Sequence, residues 1–156
     1  MSERQAQEIL NFSQVSNAIG TGGQPTKEQF SGIKAAGYEV VVNLAMPDSP
    51  DALADEAELV TRQGMVYVHI PVAWEAPTAG DLERFFALMD RNQGKKVFVH
   101  CVVNKRVSAF VFLYRVIRQG VPLEMAREAL RRIWEPNPVW QNFIDESLAR
   151  HGASGR

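Results

Sequence analysis

Cys101 is the only cysteine among 156 residues. It stands where an apolar run gives way to a polar loop: Val97, Phe98, Val99 and His100 precede it, and Val102, Val103, Asn104, Lys105, Arg106, Val107 and Ser108 follow. The run predicts a buried strand that stops at Cys101. Beyond the loop, Val107, Phe110, Val111, Tyr114 and Ile117 recur at three- and four-residue spacing, the stripe of a helix that Gly120 ends. A strand that delivers a thiol to a helix start places it among unpartnered backbone N–H groups, at the positive end of the helix dipole. Both favour bound anions and the thiolate, the nucleophilic form of cysteine, and Lys105 and Arg106 add charge in the same sense. A lone cysteine at a strand end is otherwise a small core residue. Polar, cationic neighbours on a loop argue for chemistry here instead.

The remaining chain must frame that loop. Residues 15–19 are expected to form a first strand, closed by Gly20, Thr21, Gly22 and Gly23. Thr26 and Gln29 make a capping box for a helix carrying Phe30 and Ile33, which Gly37 stops. A β-branched cluster predicts a strand over 38–44, ended by a loop with Pro47 and Pro50. A helix over 52–63 presents Leu53, Ala57 and Val60 on one side, with the acids between Asp51 and Glu58 on a solvated face. Next comes a strand over 65–72, with Val66, Val68 and Ile70 facing one way. Thr78 opens a helix carrying Leu82, Phe85, Phe86 and Met89, closed by Gly94. Pro122 fits the first turn of a helix with Leu123, Ala126, Leu130 and Ile133. The breaker Pro136-Asn137-Pro138 separates it from a last helix holding Trp140, Phe143 and Leu148, and residues 153–156 read as a frayed tail. Strands alternating with helices imply an α/β fold, a mostly parallel central sheet with helices on both faces. The length suits one domain, 1–156. Ligands of such sheets sit beyond the carboxyl ends of the strands, where Cys101 falls.

Composition narrows the function classes. Charged residues make up 22% and hydrophobic ones 46%, with a formal net charge of −1, which suggests neither a nucleic-acid surface nor a polybasic membrane anchor. No apolar run is long enough to span a bilayer, and the start Met1-Ser2-Glu3-Arg4-Gln5 lacks a signal-peptide core. One cysteine excludes an internal disulfide and fits a reducing, cytoplasmic compartment. One cysteine and three scattered histidines make no metal-ligand spacing. No metal or other cofactor is expected, and oligomeric state is not legible.

His100-Cys101-x-x-Asn104-x-x-x-Ser108 resembles the phosphate loop of the cysteine-dependent protein tyrosine and dual-specificity phosphatases, His-Cys-x-x-Gly-x-x-Arg-Ser/Thr. With Gly22-Gly23-Gln24-Pro25-Thr26, Val41-Val42-Asn43-Leu44 and His69-Ile70-Pro71-Val72, the chain looks like a bacterial dual-specificity-phosphatase-like subgroup over residues 14–148. The resemblance implies a parallel α/β/α fold and hydrolysis of phosphomonoesters, on a phosphorylated protein or a small molecule. It makes Cys101 the nucleophile of a phosphocysteine intermediate and gives His100 the task of orienting the loop and favouring the thiolate. Ser108 would stabilise that thiolate as it leaves, and residues 102–107 would complete the phosphate-binding loop. Asn104 replaces the family's glycine, and asparagine tolerates positive φ nearly as well.

The family's arginine position holds Val107, and the guanidinium stands one residue upstream at Arg106. One helical residue turns the side chain by about 100°. Arginine's planar fork clamps two phosphoryl oxygens, and losing one preorganised donor costs on the order of 10²–10³ in rate. Direct phosphate contact and a solvated cationic first turn are therefore both open for Lys105 and Arg106. Cys101 and Arg106 also keep the Cys-x4-Arg spacing of rhodanese-type sulfurtransferases, so sulfur transfer is an alternative. A phosphate-binding module without turnover is a second.

A phosphatase needs a general acid for the leaving oxygen. Glu75, beside Trp74, is the first choice, since the indole could shield the carboxylate and favour its protonated form. Asp81 lies three residues after Thr78 and reads as a helix-capping acid. Asp48, on the earlier loop, is the third choice for the general acid. Phe85, Phe86, Trp134, Trp140 and Phe143 read as core, and His69 as a hydrogen-bonded structural histidine.

Overall fold

The computed structural model describes residues 4–152. The elements are α1 (Arg4–Gln7), β1 (Ser13–Gln14), β2 (Ile19–Gly22), α2 (Gln29–Ala35), β3 (Val40–Asn43), α3 (Glu56–Arg62) and β4 (Val66–His69). They continue with α4 (Ala79–Arg91), β5 (Val97–His100), α5 (Lys105–Ile117), α6 (Leu123–Ile133) and α7 (Pro138–Arg150). The sheet order is β1-β2-β5-β3-β4. β5 pairs in parallel with both β2 and β3, β4 adds in parallel to β3, and β1 folds back antiparallel on β2. The strand that leads into Cys101 therefore has a bonded neighbour along each edge.

Alternation along the strands builds two apolar layers. Val97 and Val99 join Ile19, Val40 and Val42 beneath residues of α4, α5 and α7, among them Phe85, Phe110 and Trp140. Phe98 and Val41 point the other way, against Ala6, Ile9, Phe30, Ile33 and Val60. Both sheet faces are covered, which is why the parallel strands read as unbroken valine runs. The expected α/β architecture is the one observed.

Several boundaries differ from expectation for local reasons. The first parallel strand runs over Ile19–Gly22, not 15–19, because the Ser16 hydroxyl accepts from the Ala18 and Ile19 amides and holds a turn there. Glycine is required in that strand: a Cβ on Gly20 would lie 2.1 Å from the Tyr38 hydroxyl. Only half of the first capping box forms, the Thr26 amide donating to Gln29 Oε1 at 2.9 Å. α3 starts at Glu56, after turns around Asp51, whose φ is 63°. Its inward residues are Glu56 and Val60, with half-buried Leu53 just before the helix, while Ala57 is exposed. Glu56 is only 3% exposed, so the solvated acidic face expected over 51–58 fails at that residue. Val66 is 52% exposed, because β4 is an edge strand. Pro122 is the residue before α6, not its first turn. α7 has Asn137 as N-cap, accepting from the Trp140 amide, with Pro138 behind it. The tail expected over 153–156 lies outside the described residues.

Tyr38 packs edge-on against Phe98 with its hydroxyl buried and unpaired, and burial pushes its phenol up to about 12. A raised folded-state value means stability that is complete below the unfolded value near 10 and is lost as pH rises from 10 towards 12. Urea unfolding at pH 8 and pH 11 should show a smaller alkaline loss for Tyr38→Phe than for wild type. At pH 8 the variant should stay within about 1 kcal/mol of wild type, since no hydrogen bond is removed. Equal alkaline losses in the two proteins would contradict this account of the phenol.

Candidate active site

Cys101 follows β5 directly, is 1% exposed, and lines a cavity of about 530 Å³ at the carboxyl end of the strands. The loop behind it is tied to the N-terminal segment. Val102 carbonyl accepts from the Gln24 amide at 3.0 Å, and Val103 carbonyl from Asn11 Nδ2 at 3.0 Å. Gly23 lies against this backbone, where a Cβ would come 2.5 Å from the Val102 carbonyl oxygen. Asn104 is fully buried with φ of 72°, and its Nδ2 donates to Asn11 O at 2.8 Å and Thr21 Oγ1 at 3.0 Å. Asparagine thus supplies the left-handed turn expected of it and adds anchors that glycine lacks.

That geometry directs carbonyls away and leaves amides over. Among the described residues, the backbone N–H groups of Val102, Val103, Lys105, Arg106 and Val107 find no protein acceptor, and helical bonding resumes at Ser108, which donates to Asn104 O at 2.9 Å. Val102, Val103, Lys105 and Arg106 border the same cavity as Cys101. Unpaired amides around a concave helix start form a cradle for an anion.

The side chains divide by position. Arg106 is 6% exposed and lines the cavity; its Nη1 donates to Val72 O at 2.9 Å and its guanidinium lies 6.0 Å from the Trp74 ring. A solvated first turn therefore does not describe Arg106. Lys105 also lines the cavity, with Nζ 5.4 Å from the Trp134 ring. Val107, at the family's arginine position, is fully buried in the core.

Ser108 hydroxyl donates to Lys105 O at 2.9 Å and accepts from Trp134 Nε1 at 3.0 Å; no hydrogen bond joins it to Cys101. Glu75 and Asp48 both line the cavity and are exposed. Trp74 packs on Trp134 and Trp140 at 5.5 and 5.7 Å, and Glu75 remains open to solvent instead of shielded. Asp81 does not line the cavity. Its amide is capped by Thr78 Oγ1 and its carboxylate pairs with Arg84, where a carboxylate cap on backbone amides was the expectation. Among the described residues, the one hydrogen bond of the His69 ring is donated by Nε2–H to the Ala45 carbonyl oxygen, 2.7 Å away, the structural role expected.

Sequence reasoning missed the partner of His100. The imidazole is fully buried, with Nε2 at 2.6 Å from Glu56 Oε2, and Gln24 Nε2 donates to Glu56 Oε1 at 2.8 Å. The available signal was the phase of the helix expected over 52–63, which puts Glu56 on the stripe of Leu53 and Val60.

The sequence matches, over residues 2–141, the family described as DSP-PTPase phosphatase fused to NAD+ kinase. The chain belongs to that family. Its crystal-structure relatives include a candidate phosphatase of DUF442 from Shewanella putrefaciens CN-32, 40% identical, with TM-score 0.86 over 95% of this chain and 97% of that one. The core catalytic domain of the PP-IP phosphatase SIW14 from S. cerevisiae shares the fold at 18% identity, TM-score 0.72, covering 94% and 95% of the two chains. A curated relative, the beta-lactamase hydrolase-like protein of Xylella fastidiosa (strain Temecula1), is 28% identical over 112 residues, 69% of this chain. The matched stretch spans 26% of that relative's length.

Asn104 separates conformation from anchoring. Asn104→Gly keeps the left-handed turn and loses two hydrogen bonds, whereas Asn104→Ala loses both and adds left-handed strain. Chemical denaturation should place Asn104→Ala about 1–2 kcal/mol below Asn104→Gly. Equal stabilities would show that the turn is not held at positive φ.

Proposed function

We propose that this chain hydrolyses phosphomonoesters through a phosphocysteine intermediate. The observation that supports it most is the run of unpaired amides at the start of α5, four of them on residues that line the cavity beside the sole thiol. A phosphoryl group there would have its nonbridging oxygens met by N–H donors and by Arg106, with no reorganisation as charge develops. Cys101 thiolate attacks phosphorus, the bond to the leaving oxygen breaks, and Glu75 gives that oxygen its proton. Water then attacks the phosphocysteine, Glu75 takes its proton, and the sulfur leaves as thiolate. Ser108 assists this second step by turning its hydroxyl from Lys105 O to the departing sulfur. His100 holds the loop, and Lys105 adds positive charge at the rim. No metal or organic cofactor enters these steps. The single cysteine supports a reducing, cytoplasmic setting, and the whole chain acts as one domain.

A second reading rests on Arg106. It, and not residue 107, reaches the cavity with Cys101, the Cys-x4-Arg arrangement of sulfurtransferases. Thiosulfate, a tetrahedral dianion like phosphate, would bind the same amides, pass its outer sulfur to Cys101 and leave as sulfite. Cyanide would then carry that sulfur away as thiocyanate.

Hydrolysis of a small aryl phosphate between mildly acidic and neutral pH separates these. The phosphatase reading predicts turnover that vanishes in Cys101→Ser, falls by roughly 10²–10³ in kcat/KM in Arg106→Ala, and falls in Glu75→Gln most for poor leaving groups. Absence of hydrolysis with Cys101-dependent thiocyanate production would overturn it in favour of sulfur transfer. Absence of both, with phosphate still protecting Cys101 from alkylation, would leave an anion-binding module.

A further inference from the structure

We infer that Glu56 is a positioning residue for the cysteine loop, acting through a His100 ring that carries protons on both nitrogens. The inference rests on the assignment of Cys101 and its loop as the reactive site. His100 is fully buried and Glu56 is 3% exposed. The ring meets two groups that offer lone pairs: Glu56 Oε2 lies 2.6 Å from Nε2, and the Cys101 carbonyl oxygen lies 3.4 Å from Nδ1. A neutral imidazole has one N–H, and would turn a lone pair towards one of these oxygens. Two ring protons satisfy both. Gln24 Nε2 donates to the other Glu56 oxygen at 2.8 Å, which supports the ionised carboxylate and leaves both protons on the ring. The result is a buried ion pair whose two charges cancel and whose outer oxygen is also hydrogen-bonded, the condition under which such a pair is tolerated.

The consequence reaches the cavity through one peptide plane. The Cys101 carbonyl and the Val102 N–H belong to the same planar unit and point in opposite directions. Holding the carbonyl towards His100 therefore turns the Val102 N–H away from it, towards the anion cradle. Glu56 fixes the ring, the ring fixes the carbonyl, and the carbonyl fixes the first amide after the nucleophile. Gln24 joins this chain to the segment whose own amide holds the Val102 carbonyl at 3.0 Å. Glu56 touches neither thiol nor ligand, so its effect should be on the preorganisation of the loop.

The direct test is nitrogen NMR of the histidine side chains in the intact protein at neutral pH, with His100 assigned by its loss in His100→Gln. The expected signature is a ring with both nitrogens protonated; a neutral, single-tautomer His100 would overturn the inference. Glu56→Gln, nearly isosteric, should convert the ring to the neutral form and weaken phosphate protection of Cys101 against iodoacetamide by about tenfold, the scale of one charge-assisted hydrogen bond lost. Unchanged protection in a folded Glu56→Gln protein would also overturn it. If that variant does not fold, Gln24→Ala takes its place, with a smaller loss of protection expected and none contradicting the account. None of these readouts requires turnover, so an inactive wild type would count against phosphoester hydrolysis while the ring spectrum still decides the role of Glu56.

Discussion

Where β5 ends, several backbone amides have no acceptor among the described residues, and much of the surrounding structure keeps them that way. Buried amides without partners are costly. The loop tolerates them because they open on a cavity, and because its carbonyls are engaged elsewhere. Asn11 and Gln24 take two of those carbonyls, Thr21 and Asn11 hold the Asn104 side chain, and Gly23 permits the close approach. Each of these groups comes from the hairpin and turns that precede α2. The N-terminal segment thus shapes the loop after Cys101, far beyond it in sequence.

The arginine displacement follows from the same constraint. With Asn104 fixed in the left-handed turn, α5 begins at once, and Val107 falls on the core side of its first turn between sheet and helix. Arg106 falls on the cavity side. Its bond to the Val72 carbonyl ties the helix start to the loop that carries Trp74 and Glu75. Trp140 Nε1 holds the same loop through the Trp74 carbonyl at 2.9 Å. A guanidinium placed this way still brings fixed positive charge to the cavity, although one of its N–H groups is committed to the protein.

Fold and loop were readable because both are local patterns. Valine runs between helical stripes gave the parallel sheet, and Cys101 at a strand–helix junction located the cavity. The pattern was silent where long-range contacts decide. Gly20, Thr21 and Gly22 continue a strand from Ile19 only because Tyr38 and β5 lie against it. Glu56 looks like a surface acid until His100 and Gln24 are brought to it from 44 and 32 residues away. Trp74 sits beside Glu75 in sequence, yet two distant tryptophans claim its ring. Glu75 lines the cavity, but exposed and without the shielding expected of Trp74.

The measurement that bears most directly on the amide cradle is a titration of isotopically labelled protein with inorganic phosphate, followed by amide nitrogen–proton NMR. The cradle predicts saturable shifts concentrated on Val102, Val103, Lys105, Arg106 and Val107, unaffected by Cys101→Ser. Phosphate that leaves these five amides unmoved, or shifts surface lysine neighbourhoods equally, would contradict it.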